Sequence, residues 1–167
     1  PTATRPAPCD VLGPLAEEPE EHNRAAFMPL LKNSARPAVT RGMWRAYAGA
    51  KGRTRAGESP RARVRRAVEN ERKACPETML LVTGHSLGGA LATMCAYDLL
   101  CGVAQPIECI CATFGAPRAF NRAFRHSIDE LQLEPPHRLL ALRVVNAGDL
   151  VPSLPGRLPL GNVHAVR

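Results

Sequence analysis

Aromatic side chains are scarce in this chain of 167 residues, which has one tryptophan, two tyrosines and four phenylalanines. Proteins that bind nucleic acid commonly place aromatic side chains beside basic ones, so that bases can stack. The net charge is +7, and half of the 22 basic residues lie between Arg41 and Lys73. Few aromatics accompany them, so we expect no nucleic-acid partner. We interpret the basic stretch as a solvated helix face, with attraction to an anionic membrane surface as the alternative.

Long apolar runs and paired cysteines are also missing. No apolar stretch approaches the roughly 20 residues of a membrane-spanning helix, so we expect no transmembrane segment. The six cysteines show no Cys-x-x-Cys spacing, which argues against zinc, and we predict neither a metal nor a cofactor. Most of them fit the pattern of small core residues; they are Cys9, Cys75, Cys95, Cys101, Cys109 and Cys111.

The first 38 residues contain little structural information, because seven prolines interrupt any long element. We predict loop there, with one short helix over residues 23–32, and place a domain boundary before Val39. The domain over residues 39–167 is expected to be partial. The chain begins with Pro1 and not with methionine, so we expect it to be a piece of a longer product of unknown location.

Helical and strand patterns alternate after residue 39. Ser59 and Pro60 form a good helix start, as N-cap and first helical residue. On that helix we expect Val64, Ala67, Val68 and Glu71 on one side and the arginines on the other. Strands separated by helices predict an α/β fold with a mainly parallel sheet flanked by helices. The predicted helices cover residues 42–47, 59–74, 87–100 (capped by Gly102) and 121–131, and the strands cover residues 79–82, 107–114 and 139–145.

The residues Gly84-His85-Ser86-Leu87-Gly88 lie between the strand beginning at Met79 and the following helix. This G-x-S-x-G pattern between a strand and a helix predicts a nucleophile elbow. The serine must lie on a very tight turn, so we expect Gly84 and Gly88 to supply positions without bulk. The helix after Ser86 would direct the Leu87 backbone N–H at a developing oxyanion.

A carboxylate and a histidine must accompany a serine nucleophile, and in this architecture they follow it in the order acid, then base. Asp149 comes just after the third strand, where functional residues of parallel sheets collect, and we predict it as the acid. The alternative for Asp149 is a turn-forming aspartate after Gly148. Asp98 and Asp129 lie on helices and are poorly placed.

The histidine that would act as base is harder to find. His22, His126 and His137 precede Asp149 and break the expected order. His85 adjoins Ser86, so its side chain should point away from the serine hydroxyl, and we expect a core or hydrogen-bonding role for it. Only His164 follows Asp149.

Three segments resemble the class 3, or fungal-type, triacylglycerol lipases of the α/β-hydrolase superfamily. They are Val-Thr-Gly-His-Ser-Leu-Gly-Gly-Ala-Leu-Ala (residues 82–92), Thr-Phe-Gly-Ala-Pro-Arg (113–118) and Arg-Val-Val-Asn-Ala-Gly-Asp-Leu-Val-Pro-Ser-Leu-Pro (143–155). The resemblance implies an α/β-hydrolase-type fold, present here as its central portion. It also implies hydrolysis of acylglycerol or related lipid esters, with transient contact to a lipid surface, by Ser86 and Asp149.

The same resemblance defines an alternative function. It implies a catalytic histidine downstream of this chain, and it matches His164 to a family position that is not the base. It also implies an upstream strand ending in Arg-Gly-Ser/Thr that supplies the second oxyanion donor, and no such strand precedes Val39. The alternative to a lipase is therefore a catalytically inactive lipase-like module that binds lipid or a partner.

Overall fold

The computed structural model describes residues 16–17, 37–49, 58–102, 107–133 and 138–154. The short helix predicted over residues 23–32 and His164 lie outside these ranges. The other predicted helices and strands are all present, with ends shifted by a few residues. In chain order the elements are β1 (Ala16–Glu17), β2 (Ala38–Val39), α1 (Arg41–Ala48), α2 (Pro60–Ala74), β3 (Leu80–His85), α3 (Leu87–Gly102), β4 (Glu108–Phe114), α4 (Arg122–Leu133), β5 (Arg138–Val144) and a 3-10 helix (Val151–Ser153).

A parallel sheet of three strands, in the order β3-β4-β5, carries the candidate site. Its register places Gly84 beside Thr113 and Thr113 beside Arg143. The apolar strands and the helical connections between them predict this parallel arrangement, which is confirmed. Because the three strands run the same way, the residues that follow them come together at one edge of the sheet.

A second, smaller sheet lies upstream. β1 and β2 pair in parallel, with Ala16 opposite Ala38 and Glu17 opposite Val39. Loop was predicted up to Ala38 except for one helix, so the prediction is wrong for Ala16, Glu17 and Ala38. A strand of two residues is too short to show a periodic pattern in the sequence.

One face of the main sheet carries the core. α3 packs against β3 and β4, and α4 packs against β5. The strand residues that face these helices include the buried Cys109, Cys111 and Leu139. The largest fully buried side chains of the described residues are Phe124, Met94, Leu99, Leu100, Leu131, Val39 and Cys109.

The opposite face of the sheet is largely uncovered by the described residues. Apolar side chains of all three strands are exposed there, among them Leu81 (68%), Phe114 (44%) and Leu140 (51%). Parallel sheets are normally covered on both faces. This exposure agrees with the expectation that these residues form the central portion of a larger fold.

The start of α2 is as predicted, because the Ser59 hydroxyl accepts a hydrogen bond from the Ala62 N–H and Pro60 is the first helical residue. The prediction of which side of this helix packs against the rest of the protein is partly wrong. Ala67 and Glu71 are exposed, whereas Arg61 and Arg65 lie on the packed side with Val64 and Val68. The basic stretch is thus not a solvated face throughout.

A buried carboxylate on α3 explains where these two arginines point. Asp98 is 6% exposed and accepts hydrogen bonds from Arg61 Nε at 2.9 Å, Arg65 Nε at 3.1 Å and Tyr47 Oη at 3.0 Å. Burial, followed by the nearby Cys95 and Asp98, raises the pKa of Tyr47, so the phenol stays a donor. Removing one member of a buried ion pair typically costs about 3–5 kcal/mol. Asp98 therefore fastens α1 and α2 to α3, and this role accounts for an aspartate that the triad does not need.

The cysteines of β4 are small core residues, as predicted. Cys109 and Cys111 are both buried on one face of the strand. Burial raises the pKa of the Cys109 thiol to about 12 and that of the Cys111 thiol to about 11. Both thiols are therefore protonated and unreactive at neutral pH.

Candidate active site

Ser86 lies on a strained turn between β3 and α3. Its φ is 52°, and it is the only described residue other than glycine with a positive φ. Such a conformation costs a residue with a side chain about 1–3 kcal/mol and is concentrated at functional sites. The Ser86 N–H donates to the Phe114 carbonyl at 2.9 Å, and the Ser86 carbonyl accepts from Gly89 N at 2.9 Å. Neighbouring β4 and the first turn of α3 thus hold the serine in this conformation.

Two glycines allow the elbow to close. A Cβ on Gly84 would overlap the carbonyl group of Gly88 and lie 2.7 Å from Gly89 N. A Cβ on Gly89 would lie 2.8 Å from the Ala116 Cβ and 3.0 Å from the Gly84 carbonyl oxygen. The prediction that Gly88 also makes room is not supported, because a Cβ there would meet no atom of the described residues within 4 Å. The contact is between α3 and the ends of β3 and β4, which is why Gly89 and not Gly88 needs to be small.

Replacing Gly84 and replacing Gly88 by alanine should have different effects on stability. We expect Gly84→Ala to lower the free energy of unfolding by about 1–3 kcal/mol or more, since the added methyl group meets backbone that cannot move away. Gly88→Ala should leave stability unchanged or raise it by up to about 1 kcal/mol, because it places alanine in an open helical position. Urea unfolding followed by circular dichroism measures both. Equal losses in the two variants would contradict the assigned packing.

The backbone N–H of Leu87, which was predicted to be the first oxyanion donor, lies at the N-terminus of α3. Leu87 is the first residue of the helix, and no described group accepts a hydrogen bond from its backbone N–H. The first N–H groups of a helix lack partners within the helix and carry its positive dipole end. A carbonyl oxygen attacked by Ser86 could accept this hydrogen bond.

Asp149 lies at the same edge of the sheet, in the turn that follows β5. Its N–H donates to the Asn146 carbonyl at 3.2 Å, and its Oδ1 accepts from the Val151 N–H at 2.9 Å. Gly148, with a φ of 86°, completes the turn. These contacts show that Asp149 forms a turn, and its role as triad acid stays a prediction. No described donor hydrogen-bonds to its other oxygen, Oδ2.

Gly115 brings the ends of the three strands together. Its N–H donates to the Val144 carbonyl at 2.9 Å, and its φ is 58°. A Cβ on Gly115 would lie 3.1 Å from Asp149 Oδ2 and 3.7 Å from His85 Nε2. The missing side chain leaves room for both groups beside the end of β4. The G-x-S-x-G pattern does not indicate a role for Gly115. The sequence Gly115-Ala116-Pro117 after a strand does indicate a loop at this position.

His85 differs from its expected role. Successive residues of β3 point to opposite faces of the sheet, and Leu80 and Val82 face α3. His85 therefore lies on the other face, where its side chain is exposed. No described group hydrogen-bonds to it, and the prediction of a core or hydrogen-bonding role is wrong for the described residues. The cause is that no described element covers this face of the sheet.

Arg143 was not predicted as part of the site, yet it ties two of its loops together. Its Nη2 donates to the Ala116 carbonyl at 2.7 Å and to the Pro152 carbonyl at 3.2 Å. Ala116 follows β4, and Pro152 lies three residues after Asp149. Burial, together with the charge of Arg118, lowers the pKa of Arg143, but arginine remains protonated in proteins. Arg143 thus fixes the position of the loop that carries Asp149.

Two further classes of site can be assessed in the part of the chain that the structure covers. No group of three or more histidine, cysteine, aspartate or glutamate side chains is arranged to hold a metal ion there. Among the helices described, none has the length and apolar character needed to cross a membrane.

Known proteins resemble this chain in sequence and in structure. A lipase from Caenorhabditis elegans, ZK262.3, is 46% identical over 76 residues, and phospholipase A1-Igamma2 of Arabidopsis thaliana is 40% identical over 85 residues. A triacylglycerol lipase, whose catalytic centre is formed by a serine protease triad, superposes with a TM-score of 0.53 at 27% identity. These matches cover 45%, 46% and 79% of this chain.

The chain is shorter than these relatives. It spans 20% of the nematode lipase, 15% of the phospholipase and 47% of the triacylglycerol lipase. The family model of the class 3 lipases matches residues 14–158 of the sequence. This range begins before Val39, where the domain boundary was predicted. With the parallel sheet, the strained serine and this match over most of its length, the chain belongs to the class 3 lipase family.

Proposed function

We propose that this protein is a serine hydrolase that cleaves carboxylic esters of lipids through an acyl-enzyme. The observation that carries the proposal is the strained Ser86, held with a positive φ between β3 and the start of α3. Strain of this kind has no evident use in a turn that merely connects two elements. It serves to expose a nucleophile beside the helix N-terminus.

In the first half of the reaction, Ser86 Oγ forms a bond to the ester carbonyl carbon and gives its proton to a histidine. The Leu87 N–H donates to the resulting oxyanion. When the carbonyl re-forms, the bond to the alcohol oxygen breaks and the histidine returns the proton to the leaving alcohol. In the second half, water attacks the acyl-enzyme in the same way and releases the carboxylic acid and free Ser86.

Asp149 would orient that histidine and stabilise its charged form. One carboxylate oxygen is held by Val151 N–H, while Oδ2 has no described donor. The base itself is expected downstream of Asp149, as the resemblance to the class 3 lipases implies, and the structurally similar triacylglycerol lipase has a serine protease triad as its catalytic centre. The relatives named as lipase and phospholipase A1 support acylglycerols and phospholipids as substrate classes.

A comparison of substrates tests this proposal. We expect the purified protein to release fatty acid from emulsified dioleoylglycerol or from the sn-1 position of phosphatidylcholine vesicles, and not from a matched ether lipid. The alternative is the inactive lipid-binding module, which the family resemblance allows because it matches His164 to a position that is not the base. Binding to the vesicles without release from any ester, by folded full-length protein, would support that alternative and overturn the hydrolase proposal.

A further inference from the structure

A cavity of about 620 Å³ lies beside α4 and β5, the edge strand of the main sheet, and Ser86, Leu87 and Asp149 are not among the residues that line it. Its wall is formed by α3, α4, β4, β5 and the loop after β4. Ligand sites of small molecules commonly enclose about 300–1,000 Å³. The cavity is therefore large enough for an organic ligand, and Arg143 is the residue that it shares with the candidate active site.

Part of the cavity wall is apolar. Phe120 and Phe124 stack with ring centroids 4.2 Å apart, and Phe124 is only 1% exposed. Ile128, Leu139 and Ala141 continue the apolar lining towards the last turns of α4 and the start of β5. A helix of 12 residues is about 18 Å long, so an extended acyl chain could lie along it.

Positive charge gathers at the other end. Arg118, Arg122 and Arg143 line the cavity where the loop after β4 leads into the first turn of α4 and where β5 ends. None of the three forms an ion pair with an acidic side chain of the described residues. Arg125 also lines the cavity, but it pairs with Asp129 at 3.9 Å.

Arg143 is held in a position to bind an anion. Its two hydrogen bonds to carbonyl oxygens both come from Nη2, and guanidinium has five N–H donors. The N–H groups of Nε and Nη1 form no hydrogen bond to the residues that the structure describes. Arg118 lies close enough for its charge to lower the pKa of Arg143, after the larger effect of burial. An anion between the two guanidinium groups would replace this repulsion with attraction.

We propose that the cavity binds a single-chain anionic amphiphile, with its alkyl chain beside Phe124 and Ile128 and its headgroup at Arg118 and Arg143. A carboxylate or a phosphate satisfies this chemistry, because arginine binds both through paired N–H groups. The first would come from a fatty acid and the second from a lysophospholipid. The inference does not depend on hydrolysis, because it concerns binding away from Ser86.

Titration calorimetry on the full-length Ser86→Ala protein tests the site without turnover. The ligands are dodecanoate, dodecyl phosphate and dodecanol, each below its micellar concentration. We expect at least one of the two anions to bind about 10-fold or more tightly than the uncharged alcohol, since charge-assisted hydrogen bonds are lost with the headgroup charge. The tighter anion identifies the headgroup, and equal binding of all three ligands, or none, would overturn the proposal.

A pair of matched variants locates the site. Arg118→Gln should weaken binding of the anion about 10-fold, whereas Arg125→Gln, which removes a charge already paired with Asp129, should change it by less than about 3-fold. Ile128→Trp should abolish binding by filling the cavity, with circular dichroism as the check on folding. Unchanged binding in both Arg118→Gln and Ile128→Trp would show that the anion binds elsewhere. Equal weakening in Arg118→Gln and Arg125→Gln would show that binding does not depend on a specific contact with Arg118.

Discussion

Ser86→Ala is expected to reduce ester hydrolysis by about 10⁴-fold or more, because the variant has no nucleophile to form the acyl-enzyme. Its fold should be unchanged. Alanine at a φ of 52° is as strained as serine, and the backbone hydrogen bonds from Ser86 N to the Phe114 carbonyl and from Gly89 N to the Ser86 carbonyl do not involve the hydroxyl. Initial rates of fatty-acid release from a lipid ester measure the effect.

Ser59→Ala is the matched control for this loss. It removes a hydroxyl that caps α2 on a different element from the candidate site, so it should cost about 1 kcal/mol of stability and leave the rate per folded molecule unchanged. Hydrolysis by Ser86→Ala at a tenth or more of the parent rate would mean that another group forms the acyl-enzyme or that the mechanism does not use one.

Asp149→Asn is expected to lower kcat by about 10⁴-fold, since an amide can hold the histidine in the wrong tautomer and does not stabilise its positive charge. The turn itself should survive, because the asparagine side-chain oxygen can still accept from the Val151 N–H, as Asp149 Oδ1 does at 2.9 Å. A large fall in kcat with little change in the unfolding transition would show that Asp149 acts in catalysis and does not merely form a turn.

Asp129→Asn supplies the control. Asp129 lies on α4 and, among the described residues, forms one long, exposed ion pair, with Arg125. Such pairs contribute about 0–1 kcal/mol. We expect its rate of hydrolysis to match that of the parent protein. If Asp149→Asn retains the parent kcat, or if both variants lose rate equally, Asp149 is not the triad acid.

The arrangement of helices and strands follows from the sequence because each element carries its own local signal. β3 and β4 are short apolar runs bounded by turn residues, and α2 begins with a serine cap and a proline. The face that α2 buries could not be predicted in the same way. Arg61 and Arg65 turn inwards because of Asp98, a residue more than 30 positions away that only the tertiary fold brings into contact.

The candidate site was predictable to a similar extent. The strained turn at Ser86 and the position of Asp149 after β5 depend on short motifs and on strand ends, which the sequence indicates directly. Gly115 and Arg143 were assigned no role because each acts across strands: Gly115 leaves room for Asp149 Oδ2, and Arg143 donates two hydrogen bonds to neighbouring loops. The expected role of His85 depended on cover for the second sheet face, which a local motif does not describe.

Labelling with a fluorophosphonate probe, followed by mass spectrometry of the peptides, tests the central claim that Ser86 is an activated nucleophile. The probe reacts covalently with serines whose hydroxyl is deprotonated by a neighbouring base and whose oxyanion is stabilised. We predict one phosphonylated peptide from folded full-length protein, modified at Ser86 and absent from the Ser86→Ala variant. Folded full-length protein that remains unlabelled, or that is labelled at another serine, would contradict the account.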